Sequence, residues 1–245
     1  MKLHAKAVLF DAVGTLITPR PSVAAAYHGA GERHGAQLPI DVVATRFAAA
    51  VKEYGASELA ASTQPNQTYR TSEERERNRW RAIVGHVFPE LTQDVTVLDN
   101  LFDDLWAHFA DPAHWALFDD VPDVWQSLRE QGITVGVASN FDRRLLAIGE
   151  ALAPLGDCEH WFVSSLVGHR KPGPAFYQAI EDELQLPPDQ LLLIGDDLEN
   201  DYLAARRAGW QALFIDRSGA AAEHEDVEPA HRLSSLGELV EVLAL

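Results

Sequence analysis

The 245-residue chain contains one cysteine, Cys158. An internal disulfide is therefore impossible, and neither a disulfide-stapled secreted domain nor a four-ligand thiolate zinc site fits. Positive charge is also scarce: 20 Lys and Arg stand against 37 Asp and Glu, a formal charge of −17. A surface this acidic repels phosphate backbones and anionic headgroups, so neither nucleic acid nor a membrane is an expected partner. Long apolar runs are missing too. The first one, residues 7–10, stops at Asp11, which is too short for a signal-peptide core. Nothing approaches the roughly 18 apolar residues of a membrane span. A cytoplasmic protein is expected, and no internal repeat or low-complexity tract is visible.

What the chain does have is an ordinary globular composition, 47% apolar and 23% charged. That suffices for a core domain with a smaller partner. Short aliphatic runs occur at 7–10, 133–138, 161–163, 191–194 and 212–215, each bounded by Asp, Gly, Ser or Asn. They read as buried strands. Helical spacing marks 121–131, 143–152, 173–186 and 199–208. Strands that are apolar throughout and alternate with helices predict an α/β fold, a doubly wound parallel sheet covered on both faces.

The interval from 18 to 111 is too long for one crossover. Residues 22–35, 40–55, 72–88 and 95–110 carry apolar positions three and four apart, and Ser72 followed by Glu73 and Glu74 reads as a helix start. Residues 58–71, polar and containing Pro65, read as a loop. The expected organisation is a core formed by 1–18 and 112–245, with an all-helical cap inserted at 19–111. An acidic loop at 220–229 and a short amphipathic helix at 234–243 close the chain.

In an open parallel sheet, ligands bind beyond the carboxyl ends of the strands, where the strand order reverses. The residues that follow the apolar runs are Asp11, Ser139 with Asn140, Lys171 on a later loop, and Asp196 and Asp197 with Asp201. Singly, each has an ordinary explanation. An Asp after a strand is commonly a turn or cap residue, Ser139 would cap the next helix, and a lysine before proline is usually solvated. In this order they amount to a nucleophile, hydrogen-bonding groups, a cation and a carboxylate cluster.

That set resembles the motifs of the haloacid dehalogenase-like hydrolase superfamily. Asp11-Ala12-Val13-Gly14-Thr15-Leu16 corresponds to its first motif, Ser139-Asn140 to its second and Lys171-Pro172 to its third. Gly195-Asp196-Asp197-Leu198-Glu199-Asn200-Asp201 corresponds to the fourth. The helical insert is similar to the lid of the subfamily that carries one between its first two motifs. The resemblance implies Mg²⁺-dependent hydrolysis of a small phosphorylated metabolite through an aspartyl-phosphate, by a monomer or homodimer. Asp11 would be the nucleophile and would share the ion with Asp196 and the Val13 carbonyl, with Asp197 and Asp201 in support. Lys171, Ser139 and Asn140 would serve the phosphate and the nucleophile. Gly14, which lets the chain bend sharply, and Thr15 are assigned to substrate binding.

The chain departs from the phosphatase form of the first motif, which has an Asp two residues after the nucleophile; here that residue is Val13. The metal contact at this position is a backbone carbonyl, which valine keeps. The acid that protonates the leaving group is lost, and such help is worth about 10²–10⁴-fold. A slow phosphatase, one acting on acyl or aryl phosphates, a recruited acid from the cap, and a binding protein without turnover all follow as readings. A metal-free 2-haloacid dehalogenase is a further one, because those relatives have Asp-Ala-Tyr-Gly-Thr in the first motif. Their fourth motif, however, has Ser-Asn where this chain has Gly195-Asp196, and an added carboxylate without a cation disfavours that chemistry. A phosphonatase would need a Schiff-base lysine, and Lys52, the only lysine of the insert, reads as a solvated helix position.

Among cap residues, Arg70 is the first choice for a substrate anion, while Arg75, Arg77, Arg79 and Arg81 interleave with glutamates as spaced ion pairs. His28 and His169 are the better candidates to replace the missing acid. Trp80, Trp106, Trp115 and Trp125 are expected to fill core and cap–core packing.

Overall fold

The computed structural model describes residues 3–61, 69–217, 219, 225–239 and 243. Its centre is a six-stranded parallel sheet in the order β5-β4-β1-β6-β7-β8. β1 is Ala7–Phe10, β4 Thr134–Ser139, β5 His160–Val163, β6 Leu191–Gly195, β7 Gln211–Ile215 and β8 Arg232–Leu233. The period of two along β1 sends Val8 and Phe10 to one face and Ala7 and Leu9 to the other. Both faces are covered. Val8 and Phe10 join a cluster with Val124, Trp125 and Ile148, from α5 (Val121–Glu130) and α6 (Arg144–Ala151). Ala7 and Leu9 join Phe176, Tyr177 and Ile180 of α8 (Pro174–Leu184) and Ala205 of α9 (Ala204–Arg207). All four β1 side chains are buried, as expected for a central strand in a two-faced sheet.

A second pair of strands, β2 (Ile17–Pro19) and β3 (Trp115–Leu117), runs antiparallel with Ile17 opposite Leu117 and Pro19 opposite Trp115. Between them lie four helices: α1 (Val23–Arg33), α2 (Ile40–Ala61), α3 (Glu73–Val87) and α4 (Val95–His108). They enclose a hydrophobic cluster of their own, built on Val43, Ile83, Val84, Val87, Phe88, Leu101 and Leu105. Ser22, Ser72 and Asp94 cap the starts of α1, α3 and α4 by accepting backbone N–H bonds. The α3 layer touches the sheet layer through a short backbone ladder, in which Thr71 N–H donates to Gly168 O and Arg170 N–H to Tyr69 O.

Three readings of the sequence are corrected. α2 continues to Ala61, through residues taken for loop, because its alanine-rich end has high helix propensity that outweighs Gly55; residues 62–68 of that loop lie outside the described residues. The helix expected at 199–208 starts as a π-helical turn, Leu198–Leu203, and only then becomes α9. The helix expected over 234–243 opens instead with a 3₁₀ turn, Leu236–Glu238, after which Leu239 is helical and accepts from the Leu243 N–H at 3.0 Å; residues 240–242 lie outside the described residues. The three short strands β2, β3 and β8 were not anticipated, being too brief to leave a periodic signature.

Candidate active site

The register aligns Phe10 with both Val137 and Ile194, so Asp11, Ser139 and Asp196 emerge together at the carboxyl edge. This edge is also the switch point: strands β4 and β5 continue to one side of β1, and β6, β7 and β8 to the other. One carboxylate oxygen from each of Asp11, Asp196 and Asp201 lies within 4.8 Å of the others. They form the floor of a cavity of about 540 Å³ that extends up between the four helices.

Lys171 is the cation of this floor. It is 1% exposed, and its Nζ donates to Asp11 Oδ1 at 2.8 Å, Asp201 Oδ1 at 2.5 Å and the Ala138 carbonyl at 2.7 Å. Burial alone would lower its pKa, but the Asp11 and Asp201 charges outweigh burial and raise it, so Lys171 is held protonated. Asn140 fixes the lysine from behind. Its Nδ2 donates to Lys171 O at 2.9 Å and its Oδ1 accepts from Lys171 N at 2.8 Å. The sequence assigned Asn140, together with Lys171 and Ser139, to the phosphate and the nucleophile; its amide is a clamp on the lysine backbone.

Asp201 is fully enclosed, with Oδ1 on Lys171 and Oδ2 accepting from the Asp197 N–H at 3.1 Å. The wide π-helical turn directs this side chain back under the floor, a use of such turns common at functional sites. A Cβ at position 195 would lie 2.1 Å from Asp201 Oδ2, so only glycine fits there. Burial, followed by the charge of Asp11, pushes Asp201 up to about 8 against the pull of Lys171. Asp196 opens onto the cavity, and the surrounding protein, followed by the Asp11 charge, pushes its carboxyl up to about 7. Both shifts share their leading cause, burial, with the negative charge of Asp11 adding to it.

Asp197 is elsewhere engaged. Its Oδ1 accepts from the N–H groups of Glu199 and Asn200, and its Oδ2 from Asn200 Nδ2. It is a cap for the turn, outside the three-carboxylate group, although it borders the cavity. Val13 also borders the cavity and supplies no titratable group. Thr15 Oγ1 reaches Asp196 Oδ1 at 3.5 Å, at the limit of a hydrogen bond. Ser139, 3% exposed, lines the floor, and its hydroxyl has no protein partner among the described residues.

The cap residues chosen from sequence are not in the cavity. Arg70 is exposed, and its backbone pairs with His169. His28 faces Glu32 at 3.7 Å on the surface of α1, and neither His28 nor His169 lines the cavity. Arg77 and Arg81 form ion pairs with Asp103 and Asp99, as spaced surface pairs would. Trp125 is core, stacked near Phe10, but Trp80, Trp106 and Trp115 all face the cavity. Sequence reasoning missed Arg144 and Tyr27. Arg144 holds Asp142 through Nε and NH2, each at 2.7 Å, and lies 3.4 Å over the Trp106 ring. The only sequence sign of Arg144 was its place four residues after Asn140.

The profile of the haloacid dehalogenase-like hydrolase family matches residues 5–209. The haloacid dehalogenase-like hydrolase domain-containing protein 3 of Danio rerio is 30% identical over 247 residues, covering 98% of this chain and 96% of the relative. A ribulose-1,5-bisphosphate 5-phosphatase of Halopiger xanaduensis is 25% identical over 98% of this chain and 100% of its own length. Among solved structures, an L-2-haloacid dehalogenase superposes with a TM-score of 0.76 at 19% identity over 100% of both chains.

Proposed function

Because the chain belongs to the haloacid dehalogenase-like hydrolase family, we propose that it hydrolyses phosphate monoesters of small molecules with the help of Mg²⁺, through an aspartyl-phosphate on Asp11. The observation that carries this reading is the charge of the floor, where three carboxylates meet one ammonium. Hard oxygen donors in that number suit a divalent ion such as Mg²⁺. Asp11, Asp196 and the Val13 carbonyl would hold it, with Asp201 anchored behind them; when bound, it supplies the positive charge that lets an anionic nucleophile meet an anionic phosphate. The phosphatase name of the Halopiger relative supports the same class of reaction.

The remaining chemistry belongs to the chain's own groups. Lys171 occupies Asp11 Oδ1, while Oδ2 has no hydrogen-bond partner among the described residues and is the oxygen available for attack. The Asp11–phosphorus bond forms as the ester P–O bond breaks, and the electron pair leaves on the alcohol oxygen. Ser139 Oγ is placed to donate to a transferring oxygen, and the Lys171 ammonium, its three N–H bonds already taken, contributes its positive charge beside the nucleophile. Water then attacks the phosphorus, releasing phosphate and the Asp11 carboxylate. Val13 donates no proton to the departing oxygen, so turnover favours alcohols that leave readily as anions. In this reading residues 19–111 are a cap over a core of 1–18 and 112–245, and closure of that cap over a substrate would exclude bulk water from the reaction.

A dehalogenase is the weaker reading. The carboxylate of a haloacid would be placed against the carboxylates of the floor, and the two cations that border the cavity among the described residues, Lys171 and Arg144, are committed to Asp partners. The likeness to the dehalogenase structure, at 19% identity, speaks for the fold alone.

Calorimetric titration tests the proposal. Wild-type protein takes up one Mg²⁺, Asp196→Ala takes up none, and hydrolysis of an aryl phosphate stops on chelation. Chloride release from 2-chloropropionate in chelator, or hydrolysis indifferent to chelation, would refute it.

A further inference from the structure

Above the floor, the cavity changes character. Its upper walls are Tyr27, Phe47, Trp80, Trp106, Phe109 and Phe141, with the aliphatic side chains of Val84 and Leu105 between them. These are the side chains that also hold the four helices together, so the cavity opens into an apolar interior. Among the described residues no free cation lines it. Besides the two Arg144–Asp142 bonds, Arg144 NH1 donates to the Trp106 carbonyl at 3.3 Å. A second phosphate, a carboxylate or a run of sugar hydroxyls entering this space would give up water without finding replacement partners, at a cost of several kcal/mol on the order of 2–7 for each unpaired polar group. Besides the indole N–H groups of Trp80 and Trp106, the upper wall carries the hydroxyl of Tyr27. Tyr27 is 3% exposed, its ring meets Phe47 edge-on at 4.9 Å, and its hydroxyl has no hydrogen-bond partner among the described residues. Burial raises its pKa, with a smaller opposing effect from Arg144, so it remains a neutral donor for one acceptor atom.

We propose that this cavity selects phosphate monoesters of uncharged aromatic alcohols, with the ring among the tryptophan and phenylalanine side chains and the phosphate on the carboxylate floor. The proposal rests on the phosphatase reading for its reactive end and on the cavity for its selectivity. The two ends agree chemically. Asp11 displaces the aryl oxygen from phosphorus, and the electron pair leaves as an aryloxide, which takes its proton from water. The conjugate acid of such an anion has a pKa of about 10, so it departs without the proton donor that Val13 lacks.

The test compares 1-naphthyl phosphate with glycerol 3-phosphate in the presence of Mg²⁺, and measures 1-naphthol binding to the metal-free protein by calorimetry. We expect kcat/KM at least a hundredfold higher for the naphthyl ester, mostly through KM, and one naphthol bound per chain. Leu105→Trp, which fills the upper cavity, should weaken naphthol binding at least tenfold; Val84→Phe serves if that variant does not fold. Equal turnover of both esters, or no naphthol binding, overturns the inference while Mg²⁺-dependent turnover keeps the phosphatase reading. Naphthol binding that Leu105→Trp abolishes, with no ester turned over, overturns the phosphatase reading and upholds the aromatic preference of the cavity.

Discussion

Gly14 and Asp196 are packed so closely that a Cβ on the glycine would lie 2.2 Å from Asp196 Oδ2. Gly14 also has φ +87°, in the left-handed region that side chains resist. Two independent demands therefore fall on one position of the first motif. Gly14→Ala should cost about 1–3 kcal/mol for the backbone alone and should push Asp196 off the floor. A lowered Tm together with loss of Mg²⁺ uptake in calorimetry would bear this out. A variant that binds Mg²⁺ as the wild type does would show that the close approach is unimportant.

Lys171 is buried between two carboxylates, and removing it leaves them facing each other without a cation. Lys171→Met should destabilise the fold by about 3–5 kcal/mol and abolish turnover. Urea unfolding measures the first effect. Because a divalent ion would neutralise the same charges, saturating Mg²⁺ should recover part of the loss, and a curve unaffected by Mg²⁺ would contradict the assigned floor.

Val13 borders the cavity one residue before the sharp turn at Gly14. Val13→Asp places an acid where the related phosphatases have one, and such a group contributes about 10²–10⁴-fold when well placed. The gain should be large for an alkyl phosphate, whose leaving oxygen needs a proton, and small for a nitrophenyl phosphate. The ratio of the two kcat values reads this directly. An equal gain for both substrates would point away from leaving-group protonation.

Asp120 ties the chain behind the site. It accepts from Arg217 NH1 and NH2, from Ser235 Oγ and from the Leu236 N–H, and Arg217 in turn donates to Thr15 O. Burial alone would raise its pKa, but the hydrogen bonds from Arg217, Ser235 and Leu236 outweigh it and hold the carboxyl below the ordinary range. A depressed carboxylate stabilises the fold fully above its unfolded pKa, about 3.9, and this contribution disappears as pH falls through the lower folded value. Asp120→Asn should therefore cost about 1–3 kcal/mol at neutral pH. The difference from wild type should shrink below about pH 4. Denaturant midpoints across pH 2–7 provide the measurement.

The sheet and the floor were legible in the sequence because their signals are local. Five of the six sheet strands, β8 excepted, lie on short runs rich in apolar residues, and each floor residue directly follows a run or belongs to a compact motif, as Asp11, Ser139 and Asp196 do. What failed was direction. Arg70 is exposed and His28 faces Glu32, and neither of them nor His169 borders the cavity. Tyr27 and Arg144 had no distinguishing spacing, because which stripe of a helix faces a cavity depends on how the helices pack against one another. Asn140 and Asp197 illustrate a finer limit. Both were located correctly, but their amide and carboxylate groups are spent on backbone partners, an assignment that residue type alone leaves open.

The antiparallel pairing of Ile17–Pro19 with Trp115–Leu117 has a bearing on ancestry as well as on shape. It pins the departing and returning segments side by side, about one strand spacing of 4.8 Å apart. The ninety-odd residues between these pins therefore hang from a doorframe whose width the open sheet beneath does not sense. Any other roof whose two ends meet at that width can be grafted onto the same acidic floor, and a lineage can trade one clientele for another while Asp11 never moves.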